Sequence, residues 1–153
     1  ADRILTPTGS LVIGYIDKDS PVGRQYQEKK AQNPFYRDAT FVSTDELVDA
    51  LEAVSDLAEK YDRQDGDVGR WKDHFQERGI DFSYQESEST MNQYGDEREF
   101  HDGEEKQTME SHITIGQNHD HCLQIFFDKP NGDDQRFRIG YCGEHLSIAS
   151  RST

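Results

Sequence analysis

The sequence predicts an α+β fold in which a C-terminal antiparallel β-meander of three to five strands packs against one long and one short helix. Apolar residues recur at helical spacing between about residues 44 and 62, while alternating segments separated by turn residues fill the last third of the chain. The length of 153 residues fits one domain. Residues 1–153 are therefore treated as a single domain, either a whole protein or a fragment of a longer one.

The composition limits the classes of function. Hydrophobic residues make up 32% of the chain and charged residues 31%, but eight Phe, seven Tyr and one Trp are enough to build a core. The net charge of −14 repels the phosphate backbone, so generic DNA binding is not expected. The sequence lacks a long apolar run or a recognisable signal segment, and its two cysteines are too few for a secreted disulfide framework. A cytoplasmic location with reduced thiols is expected.

The first half of the chain contains the clearest helix. Residues 11–16 read as a short buried strand and residues 40–43 as a second one. Ser43 and Glu46 then form a capping-box pattern, after which apolar residues at helical spacing predict an amphipathic helix over about residues 44–62.

The middle of the chain is less regular. A second, shorter helix is predicted over about residues 68–78, with Gly79 as its C-terminal cap and with Trp71 and Phe75 facing the core. Residues 81–106 are rich in Ser, Glu, Asp and Gln, and they are expected to form an irregular acidic insertion or loop. Within it, residues 98–100 start a candidate strand, and Asp102-Gly103 is a candidate hairpin turn.

The C-terminal third is predicted to be β-structure. Candidate strands cover residues 109–116, 122–127, 136–142 and 145–148. Asn131-Gly132 is the strongest turn signal between the second and the third of these strands.

Antiparallel pairing about the Asn131-Gly132 turn predicts a register. It places Phe126 near Phe137 or Arg138. It also places Cys122 near Tyr141 or Cys142, so the two cysteines are expected to be cross-strand neighbours.

Histidines concentrate at the same end. Five of the six lie between residues 101 and 145, and two of them open similar motifs, His112-Ile-Thr-Ile115 and His145-Leu-Ser-Ile148. The imidazole pKa lies near neutral pH, so His112 and His145 are candidates for a general base and a general acid. Thr114 follows His112 by two residues, and Ser147 follows His145 by two residues. On a strand, each hydroxyl would therefore lie on the same side as its histidine and could donate a hydrogen bond to a phosphate oxygen.

The paired His-x-Ser/Thr-x motif resembles that of the 2H phosphoesterases, which act on cyclic phosphates and RNA ends. The segment around residues 136–146 is also similar to the β-meander of small RelE-type ribonuclease toxins, whose Arg, Tyr and His side chains act on RNA. These resemblances imply a phosphodiesterase- or ribonuclease-like site on a phosphate-bearing substrate such as RNA or a nucleotide. In it His112, His145 and Tyr141 would be catalytic, and Arg136 and Arg138 would hold the phosphate.

Two other interpretations stay open. Cys142-x-x-His145 together with His119-x-His121-Cys122 offers N and S ligands for a tetrahedral zinc ion, although no cofactor is otherwise expected. Alternatively, the histidines and cysteines are structural, and the chain is a non-catalytic acidic protein-interaction or accessory domain, with or without zinc. The sequence does not decide among the three interpretations.

Overall fold

The computed structural model describes residues 12–35, 37, 39–64, 66–102, 105–118, 121–129 and 137–149. This part of the chain has an α+β fold, as predicted. Its α-helices are α1 (Pro21–Lys29), α2 (Thr44–Arg63), α3 (Trp71–Gln76) and α4 (Glu88–Tyr94), and it contains 3-10 helices at Lys30–Gln32 and Gly95–Arg98. Its strands are β1 (Asp81–Ser83), β2 (Glu99–Asp102), β3 (Glu105–Thr108), β4 (His112–Asn118), β5 (His121–Asp128) and β6 (Arg138–Glu144).

Four of these strands form one antiparallel sheet with the order β1-β4-β5-β6. Strands β4, β5 and β6 are consecutive and form the predicted meander. Strands β2 and β3 pair separately as a hairpin, in which Asp102 lies opposite Glu105. Gly103, half of the predicted turn, lies outside the described residues, as do Asn131 and Gly132.

Helix α2 begins where the capping box predicts it. The Ser43 hydroxyl accepts a hydrogen bond from the Glu46 amide, while the Glu46 carboxylate accepts from the Ser43 amide. Helix α3 confirms the second predicted helix, and Gly79 follows it with a φ of +70°.

The main core lies between α2, α3 and one face of the sheet, here called the core face. The helices contribute apolar side chains such as Leu57, Trp71 and Phe75, all of them buried. The sheet contributes alternating residues, because side chains along a strand point to opposite faces. These strand residues are Phe82, Ile113, Ile115, Leu123, Ile125 and Phe127.

The opposite face of the sheet, here called the second face, is also covered. Its central row consists of His112, Phe126 and Tyr141, which are cross-strand partners on β4, β5 and β6. The β2-β3 hairpin packs over this row, with the Phe100 ring centroid 6.0 Å from that of Phe126. The 3-10 helix at Gly95–Arg98 places Arg98 over the same ring. A helical and hairpin layer therefore closes the second face.

Several predicted strands are wrong. Residues 12–17 and 39–43 have no regular secondary structure, and Val12 is 88% exposed, so the first segment is not a buried strand. Val42 nevertheless joins the core, because a single inward side chain does not require strand pairing. Residues 145–149 are also irregular, so the meander ends at Glu144.

The predicted register between β5 and β6 is wrong as well. Phe126 lies opposite Tyr141, and Ile125 lies opposite Cys142. Strand β5 ends at Asp128 and β6 begins at Arg138, so the strand ends are not equidistant from the predicted Asn131-Gly132 turn. A register irregularity at Phe126/Phe127 shifts the pairing further.

Residues 81–106 differ from the expected irregular insertion. They contain β1, α4, a 3-10 helix, β2 and the start of β3. Helix α4 is short, but Ser87 caps it by accepting from the Thr90 amide. Among the helices that the structure describes, none combines the length and the apolar content needed to cross a membrane.

Candidate functional site

His112 lies at the start of β4 on the second face and is 6% exposed. Its Nδ1 is 2.8 Å from the Glu110 carbonyl oxygen, so Nδ1 carries the proton and donates it. The imidazole ring stacks on Phe126 with a centroid distance of 4.6 Å. Burial lowers the pKa of His112, and the neighbouring His145 and Arg98 lower it further, although the Glu110 carbonyl and the Glu86 carboxylate oppose this. His112 is therefore neutral at neutral pH.

Arg98 is the largest fully buried side chain of the described residues. Its Nη2 and Nε donate to Glu86 Oε1 at 2.8 and 3.2 Å, and its Nη1 lies 3.6 Å from Glu97 Oε2. Nη1 also donates to the Tyr94 carbonyl oxygen. The guanidinium lies 5.8 Å from the Phe126 ring centroid, on the same ring that His112 stacks against. Two carboxylates therefore balance one buried cation beside His112.

His145 follows β6 and is half-buried. Its Nδ1 lies 2.6 Å from the Leu146 carbonyl oxygen. Its imidazole contributes to the lowered pKa of His112, so the fold brings the two predicted histidines within electrostatic range of each other. We call the group formed by His112, His145, Arg98 and Glu86 the second-face cluster.

Tyr141 lies in the same cross-strand row as His112, with Phe126 between them. Its hydroxyl donates to the Glu144 carbonyl oxygen at 2.9 Å. Burial, and then the Glu144 carboxylate, raise the pKa of Tyr141, so the phenol stays protonated at neutral pH. A protonated phenol is a hydrogen-bond donor but a poor base.

The predicted phosphate-binding residues do not gather around the histidines. Arg138 donates to Gln107 Oε1 at 2.8 Å, at the end of β6 where its partner on β5 is Asp128. Thr114 is half-buried and lines a separate cavity of about 250 Å³ together with Asp81 and Arg78.

Ser147 has an exposed side chain, and its main-chain amide donates to Glu97 Oε2. Arg136 lies outside the described residues.

The predicted zinc ligands are also dispersed. Cys142 pairs with Ile125, whereas Cys122 is three residues from Ile125 along a regular strand, so the two cysteines point to opposite faces. Burial raises the pKa of the Cys142 thiol to about 11, which disfavours the thiolate that binds zinc. His119 and the side chain of His121 lie outside the description. Within the described ranges, no group of three or more His, Cys, Asp or Glu side chains is arranged to hold a metal ion.

The charged part of the second-face cluster, Arg98 and Glu86, has no signal in the sequence. Arg98 and Glu86 lie twelve residues apart, in a segment crowded with acidic residues. Helix α4 lies between the two residues along the chain, so no periodicity of a single helix or strand identifies the pair. The same holds for Gln124. It is 1% exposed on β5 and accepts from the Leu146 amide.

The chain is similar to the uncharacterized protein MJ1123 of Methanocaldococcus jannaschii, with 44% identity over 54 residues. The matched region is 35% of this chain and 26% of that protein, so the chain spans about a quarter of the curated relative that it matches. No family model and no solved structure matches the chain.

Proposed function

We propose that this domain is a non-catalytic, acidic protein-interaction or accessory domain that binds a basic protein partner. The observation that carries the proposal is a row of carboxylates along the outer side of α2. These residues recur every three or four positions, so they share one side of the helix, and we call them the acidic stripe: Asp45, Asp49, Glu52, Asp56 and Glu59.

Only some carboxylates of the acidic stripe form salt bridges with basic side chains in the described residues. Arg78 pairs with Asp49 and Asp56, and Arg63 pairs with Glu59. Asp45 and Glu52 are exposed, and within the described residues no salt bridge reaches either of them. The net charge of −14 adds a long-range field of the same sign. Such a field accelerates association with a positively charged protein.

A shallow apolar feature lies within the stripe. Val48 is 46% exposed and lies in a depression of about 470 Å³ that Asp45, Asp49 and Glu52 also line. An exposed aliphatic side chain surrounded by carboxylates suits a basic side chain whose alkyl stem packs while its charge meets the acids. The proposed partner therefore presents Lys or Arg to α2.

Binding of a synthetic lysine-rich peptide tests the proposal. The variant Asp45→Asn/Glu52→Gln is expected to bind about tenfold more weakly than the wild type, because each lost charge pair contributes up to about 1 kcal/mol. Binding to the wild type should weaken as salt rises. The matched control, Glu28→Gln/Glu77→Gln, removes the same charge from exposed positions outside α2. Equal weakening in both variants would show non-specific charge attraction and overturn the proposal.

A second candidate function is a histidine-centred site for a phosphate-bearing substrate, with His112 and His145 sharing acid–base work. Electrostatic coupling between a neutral, buried His112 and the half-buried His145 favours it. The burial of His112 and the carboxylates of Glu86 and Glu97 oppose it, because they disfavour a phosphate anion beside Arg98.

The second candidate predicts hydrolysis of a 2′,3′-cyclic nucleotide or a short RNA. His145→Gln would then slow turnover by about a hundredfold or more. His74→Asn is the control, because His74 lies against α2 with its Nε2 at the Ala53 carbonyl oxygen. Turnover that is undetectable, or that is equal in the wild type and His145→Gln, excludes this candidate.

A further inference from the structure

The C-terminal segment of residues 145–149, here called the strap, is held on the second face by its main chain. The Leu146 amide donates to Gln124 Oε1 at 2.9 Å, and the Ser147 amide donates to Glu97 Oε2 at 2.8 Å. The Ala149 amide donates to Thr90 Oγ1 at 3.2 Å. The three acceptors come from β5, the 3-10 helix and α4.

Two of these acceptors are built into the fold. Gln124 is 1% exposed, so its amide oxygen needs a hydrogen-bond donor inside the protein, and the Leu146 amide supplies one. Thr90 is 3% exposed, and its Oγ1 accepts from the Ser87 hydroxyl as well as from the Ala149 amide. Glu97 is oriented by Arg98, which lies 3.6 Å from its carboxylate. Acceptors that bind main-chain amides can recognise a peptide segment independently of its side chains, as in peptide-binding proteins that hydrogen-bond to the main chain of their ligands.

Beyond the half-buried His145, the side chains of the strap contribute little to this attachment. Ser147 is exposed and Ile148 is 48% exposed, while Leu146 is only half-buried. The strap also lacks a strand partner within the described part of the chain. A segment attached through single main-chain hydrogen bonds, without ladder pairing in the described residues, is easier to displace than a strand of the sheet.

We propose that the groove between α4, the 3-10 helix and β5 is a peptide-binding site that the strap occupies in the unbound protein. The natural occupant is an extended, basic segment of a partner protein, which displaces the strap and donates main-chain amides to Gln124, Glu97 and Thr90. Basic character follows from charge, because the side chain of Glu97 is 39% exposed and the chain is strongly acidic. The proposal does not depend on the acidic stripe of α2.

The test uses the full chain and a fluorescent peptide with the sequence HLKIA, which is the strap with Lys in place of Ser147. Ser147→Pro removes the amide that binds Glu97 and loosens the strap. The peptide should therefore bind this variant at least tenfold more tightly than the wild type, since less of the groove is occupied. Adding Glu97→Ala to Ser147→Pro should abolish the gain. A peptide methylated on its Lys amide nitrogen should bind at least tenfold more weakly.

Hydrogen exchange in the wild type gives an independent readout that does not rely on a variant folding. Saturating peptide should speed the exchange of the Leu146 and Ser147 amides and leave the Ile113 amide in β4 unchanged. The proposal is wrong if strap exchange stays constant while peptide is bound, or if the N-methylated peptide binds as well as its parent.

Discussion

At the scale of single residues, Arg98 is the largest fully buried side chain in the described part of the chain, and it carries a charge. Its side chain has no exposed surface and its partner Glu86 is only 9% exposed. Arg98→Met is expected to lower the free energy of unfolding by about 3–5 kcal/mol, because it leaves a buried carboxylate without its cation. Urea unfolding at neutral pH measures this.

The double variant Arg98→Met/Glu86→Gln is the control for this prediction. Removing both charges should recover part of the loss, and the difference gives the coupling free energy of the pair. A single variant within about 1 kcal/mol of the wild type would mean that Glu86 is solvated and that the pair is not a buried one.

The buried imidazole of His112 is expected to make the free energy of unfolding depend on pH. Burial places the pKa of His112 in the folded chain below its value of about 6.5 in the unfolded chain, so protonation favours the unfolded chain. The contribution of His112 to the free energy of unfolding is therefore fully present above about pH 6.5, and it is lost as the pH falls below that value. Between about pH 8 and about pH 5, His112→Gln should lose less free energy of unfolding than the wild type.

His74 is the comparison residue for this effect. Its pKa is also lowered, first by burial and then by the charges of Lys60 and Arg78, so it acts in the same direction from the opposite side of the molecule. His74→Asn should flatten the pH profile independently, and the two effects should add. Identical profiles for the wild type and His112→Gln would contradict the assignment of a buried neutral imidazole.

At the scale of elements, the helix bounds and the order of the meander strands were predictable, whereas the register between strands and the long-range side-chain pairs were not. The bounds of α2 follow from Ser43, Glu46 and helical periodicity, all within one stretch of the chain. The partner of Phe126 on β6 depends on a long connection and an irregular register, neither of which a turn signal encodes. Arg98 and Glu86 meet only because α4 and its flanking segments fold over the second face. Sequence therefore located both histidines but not the charges around them.

The packing of the β2-β3 hairpin on β6 gives an element-scale prediction. A Cβ atom at Gly140 would lie 2.6 Å from the Phe100 ring and 2.7 Å from Met109 Sδ. Gly140→Ala should therefore push the hairpin away from the sheet and cost about 1–3 kcal/mol of unfolding free energy. Gly95→Ala is the matched control, because its Cβ would meet only Met91 Cε at 3.7 Å in a helical backbone.

The two glycine variants should differ in their free energies of unfolding. Gly95→Ala is expected to be neutral or to stabilise by about 0.4–1 kcal/mol, because alanine restricts the unfolded chain. Thermal or urea unfolding of both variants measures the difference. Equal stability of the two would show that the hairpin yields without cost and that it is not a fixed cover for Phe126 and Tyr141.

At the scale of the whole molecule, the dominant feature is repulsion among 31 acidic residues that only 17 basic residues offset. Self-repulsion destabilises a compact chain, and salt screens it, since the Debye length falls from about 10 Å at 0.1 M to about 3 Å at 1 M. The melting temperature should therefore rise when sodium chloride increases over this range. The buried Arg98–Glu86 pair is screened far less than surface pairs, so salt should not remove its contribution.

The acidic stripe allows this salt effect to be localised. Asp45→Asn/Glu52→Gln removes two exposed like charges and should reduce the gain in melting temperature, because less repulsion remains to be screened. Sodium chloride is preferred to sulfate, since sulfate also strengthens the burial of apolar surface. Urea should replace guanidinium in any parallel unfolding experiment, because guanidinium chloride is itself a screening salt. A melting temperature that falls or stays constant as salt rises would mean that ion pairs such as Arg78–Asp49, rather than net repulsion, dominate the surface electrostatics of this protein.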